Sequence, residues 1–168
     1  PEKIVIIQHG VNDIRFSDDA PRSEHRQRMG FSEEDFVLLF FGRIAPYKGL
    51  DILLEAFALL DEPHFKLLVV GAPINNEYGA EVNSLIAGHQ FRDRIQSRLG
   101  WVDDKDIPPC FKCSDLLVLP YRHIDQSGVL FLSFSFGLPI LASDVGSFRD
   151  YLRENDTRPE SVAIRDPL

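Results

Sequence analysis

At 168 residues, with 44% apolar residues and 13 phenylalanines, the chain has the length and apolar content of a folded domain and lacks the composition of a disordered segment. A net charge of −8 with no basic run argues against a nucleic-acid partner, because phosphate-backbone binding draws its affinity from a basic face. No apolar run approaches the roughly 20 residues of a bilayer span, and the opening PEKIVIIQHGV has no export-signal pattern, so a cytoplasmic protein is expected, which also suits its two cysteines.

In chain order, KIVII at 3–7 reads as a strand, followed by a turn at His9 and Gly10, and the polar, mixed-charge stretch from Ser17 to Arg28 reads as a surface loop or short helix. FVLLFF at 36–41 is continuously apolar, the pattern of a strand buried on both faces. Leu50 to Leu60 places Ile52, Leu53, Ala56, Phe57 and Leu60 on one helical face. Then come a strand at 66–70 (KLLVV), a helix from Asn76 to His89, a short strand from Ile95 to Leu99 and a helix from Asp104 to Cys113. DLLVLP at 115–120 and PILAS at 139–143 read as strands, Ser127 to Phe136 and Ser147 to Glu154 as helices, and Val162 to Ile164 as a weak final strand. This alternation predicts an α/β fold, a Rossmann-like doubly wound parallel sheet with helices on both faces, whose ligands sit at the carboxyl ends of the strands.

Two stretches carry candidate chemistry. After the strand at 36–41 comes GRIAPYKG: Gly42 lets the backbone leave the strand, Arg43 and Lys48 bring two cations to one turn, and Gly49 opens the next helix. An Arg fork beside a compact Lys charge suits a diphosphate; the competing reading pairs both with Asp51 and Glu55. Further on, Asp125, Gln126, Ser127 and Gly128 precede an apolar helix. Asp125 or Ser127 is placed to cap it, while the amides of Ser127, Gly128 and Val129 point outward as an anion site backed by the helix dipole. The competing reading is ordinary capping with no ligand.

FFGRIAPYKGLDILLEAFALL, KLLVVGAP, LGWVDDKDIPPCFKCSDLLVLPYR and SFGLPILASDVGSFRDYL, in this order and spacing over roughly 36–153, resemble the family 4 glycosyltransferases, retaining enzymes of the two-domain GT-B type. The resemblance implies that 1–168 is one nucleotide-sugar-binding domain, the C-terminal half of a GT-B fold, with a post-linker strand and surface loop at 1–35 and a core at 36–168. It assigns Arg43 and Lys48 to the donor diphosphate as the catalytic cations, and places Gly42 and the loop of Asp125, Gln126, Ser127, Gly128 and Val129 at the donor. Gly71 and the backbone around Trp101 and Val102 flank the nucleobase, Trp101 being either a stacking partner or a core or rim aromatic. No metal and no cofactor is implied beyond the nucleotide-diphosphate sugar that serves as donor. The partner is an N-terminal acceptor domain of the same full-length chain, and any peripheral membrane association would depend on that absent half. A non-catalytic sugar-nucleotide-binding module and a GT-B type sugar-nucleotide epimerase are the alternatives.

One departure from the family stands out. Where many members carry two glutamates separated by seven residues, the second bonding the donor ribose and the first near the sugar, alignment on Gly137 puts Ile124 and Leu132. Asp125 and Gln126, one or two residues along, are partial substitutes. Cys110 and Cys113 lack the further ligands a zinc site needs and read as core. His123 lies in the loop near the expected sugar, Asp144 and Ser147 are candidate caps for the helix that follows, and no role in chemistry is expected of these.

Overall fold

The computed structural model describes residues 18–152 and the strand at 161–164; the expected strand at 3–7 and the turn of His9 and Gly10 lie outside the described residues. Strands β1 (Phe36–Phe41), β2 (Phe65–Gly71), β3 (Ile95–Leu99), β4 (Leu116–Leu119), β5 (Ile140–Ser143) and β6 (Ser161–Ile164) form one sheet of order β3-β2-β1-β4-β5-β6. Every pairing in it is parallel. The reversal of strand order lies between β1 and β4, the place where such sheets open a crevice at their carboxyl edge.

The continuous apolar runs are explained by which way alternate residues face. Val37, Leu39 and Phe41 of β1 point into a core shared with α1 (Arg22–Met29), α4 (Ile107–Lys112), α5 (Gly128–Phe136) and α6 (Phe148–Tyr151), whereas Leu38 and Phe40 point into the core beneath α2 (Leu50–Phe57) and α3 (Asn76–Gly88). Leu39 and Phe40 are 0% and 1% exposed, each burial contributing on the order of 1.5–3 kcal/mol.

The ends of the helices reflect local chemistry. The Asn75 side chain accepts the Tyr78 amide at 2.8 Å and starts α3, while Pro108 and Pro109 occupy the first turn of α4, where a missing amide hydrogen costs nothing. The polar stretch before β1 resolves into α1, anchored where the Arg26 guanidinium donates to the Asp115 carboxylate at 2.6 Å and to the carbonyls of Ser32 and Glu33. The same carboxylate accepts the Val37 amide at 2.8 Å, so α1, β1 and the residue before β4 share one partly buried ion.

Two helices depart from the reading of their periodicity. α2 ends at Phe57, where tight turns take over, and its buried side is Leu50, Leu53, Leu54 and Phe57, one step round from the expected face. Ile52, Ala56 and Leu60 instead border an apolar groove of about 470 Å³ with Leu116, Val118 and Leu141, because no helix covers β4 and β5 on this side among the described residues. The Asp104–Cys113 stretch divides into a 3-10 turn at Asp104–Asp106 and α4, since the paired prolines fix where the α-helix starts. No helix among the described residues is long and apolar enough to cross a membrane.

Candidate functional site

At the carboxyl edge the chain leaves β1 through Gly42, with φ of 103°, and leaves β2 through Gly71, with φ of 145°. The two backbones touch: a Cβ on Gly71 would stand 1.7 Å from the Gly42 carbonyl oxygen. A Cβ on Gly42 would stand 2.9 Å from Val129 Cγ2 and 3.2 Å from Lys48 Nζ, so Gly42, Lys48 and Val129, from three separate segments, converge on one spot. Only glycine at 42 and 71 leaves room for this approach.

A 3-10 turn, Pro46–Lys48, delivers the lysine. Lys48 is 6% exposed, and burial, then the charge of Arg43, pulls its ammonium down to about 8. Neither Arg43 nor Lys48 has a carboxylate partner among the described residues. Asp51, expected to compete for them, is taken by Arg122, which spans both carboxylate oxygens and also donates to the Pro46 carbonyl at 2.6 Å. That fork, more than any other influence, holds the Asp51 carboxyl below its usual range and raises Arg122. The Arg122 amide donates to the Tyr47 carbonyl at 2.8 Å, completing a tie between the loops after β1 and β4.

Ser127 stands at the N-cap of α5, but neither its side chain nor that of Asp125 caps the helix, contrary to expectation. Ser127 is 5% exposed and lies beside the Tyr121 hydroxyl, lowering the pKa of a tyrosine that burial pushes up more strongly, while Asp125 is exposed. The amides of Ser127, Gly128 and Val129 find no acceptor among the described residues, the first bonded one in this turn being Leu130, to the Ser127 carbonyl at 3.2 Å. Free amides at a helix start attract an anion.

Next to this spot, at the ends of β2 and β3, lies a pocket of about 310 Å³ bordered by Val70, Arg98, Trp101, Val102 and Asp106. The Gly100 amide donates to the Gly71 carbonyl at 2.9 Å and so fixes the pocket to the Gly42–Gly71 contact. Trp101 is 87% exposed, which removes the core alternative and leaves a rim position; Val102 packs partly against the core. Asp125 and Gln126 are exposed with no hydrogen bond or ion pair among the described residues, and the structure does not bring them onto Arg43 or Lys48. Ile124 and Leu132 pack against the core.

Cys110 and Cys113 are buried thiols, Cys110 pushed up to about 12 by desolvation, and they belong to the core. His123 stands exposed with its ring 5.4 Å from that of Tyr47. Ser147 is the N-cap of α6 without a side-chain bond, and Asp144 accepts from Arg149 Nε at 2.6 Å rather than capping the helix. Tyr121 and Arg122 are the site residues that motif reasoning passed over. Their signal was a Pro-Tyr-Arg run directly after a buried strand, the position where side chains face the crevice.

The sequence profile of the family "Glycosyl transferases group 1" matches residues 21–159. The chain belongs to this family. Among its relatives, a D-inositol 3-phosphate glycosyltransferase of Geodermatophilus obscurus is 32% identical over 163 residues, covering 92% of this chain and 36% of the relative. The chain thus spans about a third of the length of the curated relatives it matches. WaaG, a glycosyltransferase involved in lipopolysaccharide biosynthesis, superposes with a TM-score of 0.74 at 25% identity, over 100% of this chain and 44% of that one. Anabaena HepE in complex with UDP and glucose superposes with a TM-score of 0.73 at 20% identity, over 89% of this chain and 39% of that one. The Rossmann-like α/β architecture of this group 1 glycosyl transferase chain is therefore that of the solved GT-B glycosyltransferases.

Proposed function

We propose that this chain is the donor-binding part of a retaining glycosyltransferase, with Arg43, Lys48 and the first amides of α5 holding the diphosphate of a nucleotide sugar and the pocket beside Trp101 and Val102 taking the base. The acceptor is held by an N-terminal domain of the full-length protein. The observation that carries this reading is that Lys48 Nζ and Val129, at the start of α5 with its unbonded amides, both stand at Gly42, while neither Lys48 nor the neighbouring Arg43 has a carboxylate partner among the described residues. The UDP bound in Anabaena HepE, a protein of the same architecture, supports the choice of ligand class.

The chemistry follows from the charge that develops. As the bond between the anomeric carbon and the diphosphate oxygen breaks, negative charge grows on that oxygen. Cations already in place and free amides stabilise it without having to reorganise. Asp125 and Gln126, one and two residues after Ile124, are proposed as ribose and sugar contacts. A second reading, a sugar-nucleotide-binding module without transfer activity, is favoured by those two apolar residues, which offer no side-chain acceptor.

Calorimetry with UDP, GDP and ADP tests the assignment. One of them is expected to bind, and Arg43→Ala with Lys48→Ala should weaken it about 100-fold or more, the sum of two charge-assisted contacts. Unchanged affinity in the double variant would overturn the phosphate assignment. Sugar transfer by the full-length protein separates enzyme from module.

A further inference from the structure

Tyr121 has features that the diphosphate reading leaves unused. It is 1% exposed, its hydroxyl lies beside Ser127 but completes no hydrogen bond among the described residues, and the Lys48 ammonium lies 5.0 Å from its ring centroid. A buried ammonium needs compensation, ordinarily from a carboxylate. Here the charge that acts on Lys48 among the described residues is that of Arg43, in the turn after β1, which repels a cation, and the Val129 side chain at the start of α5 approaches the same spot beside Gly42. The face of the Tyr121 ring is the attractive group found beside Lys48 among the described residues, well inside the roughly 6 Å reach of a cation–π contact.

We infer that Tyr121 is a positioning residue of this site: its ring holds the Lys48 ammonium at Gly42, charged and free of a counter-ion, where a phosphate group can take it. A carboxylate in the same place would also hold the lysine, but it would cancel the charge and repel the anion. A ring attracts the cation without adding net charge, so the full positive charge is left for the ligand. The ring is itself fixed, with Phe148 at 5.5 Å and Tyr47 edge-on at 6.2 Å between ring centroids. Tyr47 precedes Lys48 and Arg122 follows Tyr121, so the tie from Arg122 to Asp51 and to the Tyr47 carbonyl sets the lysine's segment against the tyrosine's. The nature of the anion rests on the function proposed above; the hold of Tyr121 on Lys48 does not.

The experiment varies the ring's electrostatics at nearly constant shape. Tyr121→Phe is compared with phenylalanines carrying one, two and three ring fluorines at this position, since fluorine withdraws negative potential from the ring face. The Lys48 titration is followed by NMR in lysine-labelled protein, its signal assigned from Lys48→Met, and the affinity for UDP, GDP and ADP is measured by calorimetry. Tyr121→Phe, which keeps the ring, is the reference from which both readouts are taken. Successive fluorines should lower the Lys48 pKa and weaken nucleotide binding, by about one unit and about tenfold for the trifluorinated ring. A series flat in both readouts overturns the inference and leaves Tyr121 a packing residue. A falling pKa in a protein that binds none of the nucleotides upholds the hold on Lys48 and sinks the diphosphate reading instead. Nucleotide binding that is lost in Lys48→Met yet constant along the series, with a constant pKa, does the reverse.

Discussion

Lys48 costs the unliganded protein stability. Its folded pKa of about 8 lies below the ordinary 10.5, so the unfolded chain holds the proton more tightly. Below pH 8 both states are charged and the whole penalty stands; between about 8 and 10.5 the unfolded state carries more protons, and stability rises with pH as the penalty is relieved. A shift of that size corresponds to at most about 3 kcal/mol. Lys48→Met is therefore expected to raise stability at pH 7 by about 1–3 kcal/mol and to gain much less at pH 10, read from urea unfolding at both values. Affinity of the unsubstituted protein for a nucleoside diphosphate should fall as pH rises past 8, where the free lysine loses its charge. Equal stability of the variant and the parent at pH 7 would mean that the lysine is not desolvated. Sequence placed Lys48 in the turn that follows a buried strand, as the structure has it. It did not show that Asp51 would be drawn off by Arg122, because that pairing joins residues 71 positions apart.

The strands and the turns between them behave as different kinds of element. Strands were legible because a two-sided sheet demands continuous apolar runs, and FVLLFF, KLLVV and DLLVLP each sit where their composition placed them. Helix starts were less so: an Asp-Gln-Ser-Gly run reads as a capped start, yet Ser127 turns into the interior beside Tyr121 and leaves the amides of α5 bare, a choice made by packing from elsewhere in the chain. The glycines of these turns should respond differently to substitution. Gly71→Ala puts a methyl group into the Gly42 carbonyl at a φ of 145° and should cost well over the roughly 1–3 kcal/mol typical of strained backbone, to the point of lost folding. Gly128→Ala meets nothing within 4 Å and should add about 0.5–1 kcal/mol through helix propensity, while its methyl group impedes an anion approaching the end of α5. Thermal melts of both, with and without nucleotide, check the pair; a stable Gly71→Ala would contradict the contact described here.

For the whole molecule, a net charge of −8 surrounds a proposed site whose two cations have no carboxylate partner among the described residues, so the anion binding proposed for it would be local. The doubly wound sheet and its order of elements were legible from alternation alone, and the resemblance to the glycosyltransferases rested on several motifs in register. The groove bordered by Leu116, Val118 and Leu141 was not, since a strand reads as buried whichever element covers it. Because the proposed acceptor half lies outside this chain, the chain alone is expected to bind donor but transfer sugar at a negligible rate. Adding the N-terminal half of the full-length protein should restore transfer, since positioning two substrates supplies much of such a rate. Transfer by this chain alone, in a radiolabelled-donor assay, would count against that division of labour.

Where the main chains of Gly42 and Gly71 meet, no slack remains between the turn that carries Lys48 and the strand end that borders the pocket beside Trp101. If that pocket takes the base, as proposed, a change of preferred base is expected through side chains along 98–106, such as Arg98 and Asp106, because a shift of the peptide framework there would disturb the turn of Lys48 as well.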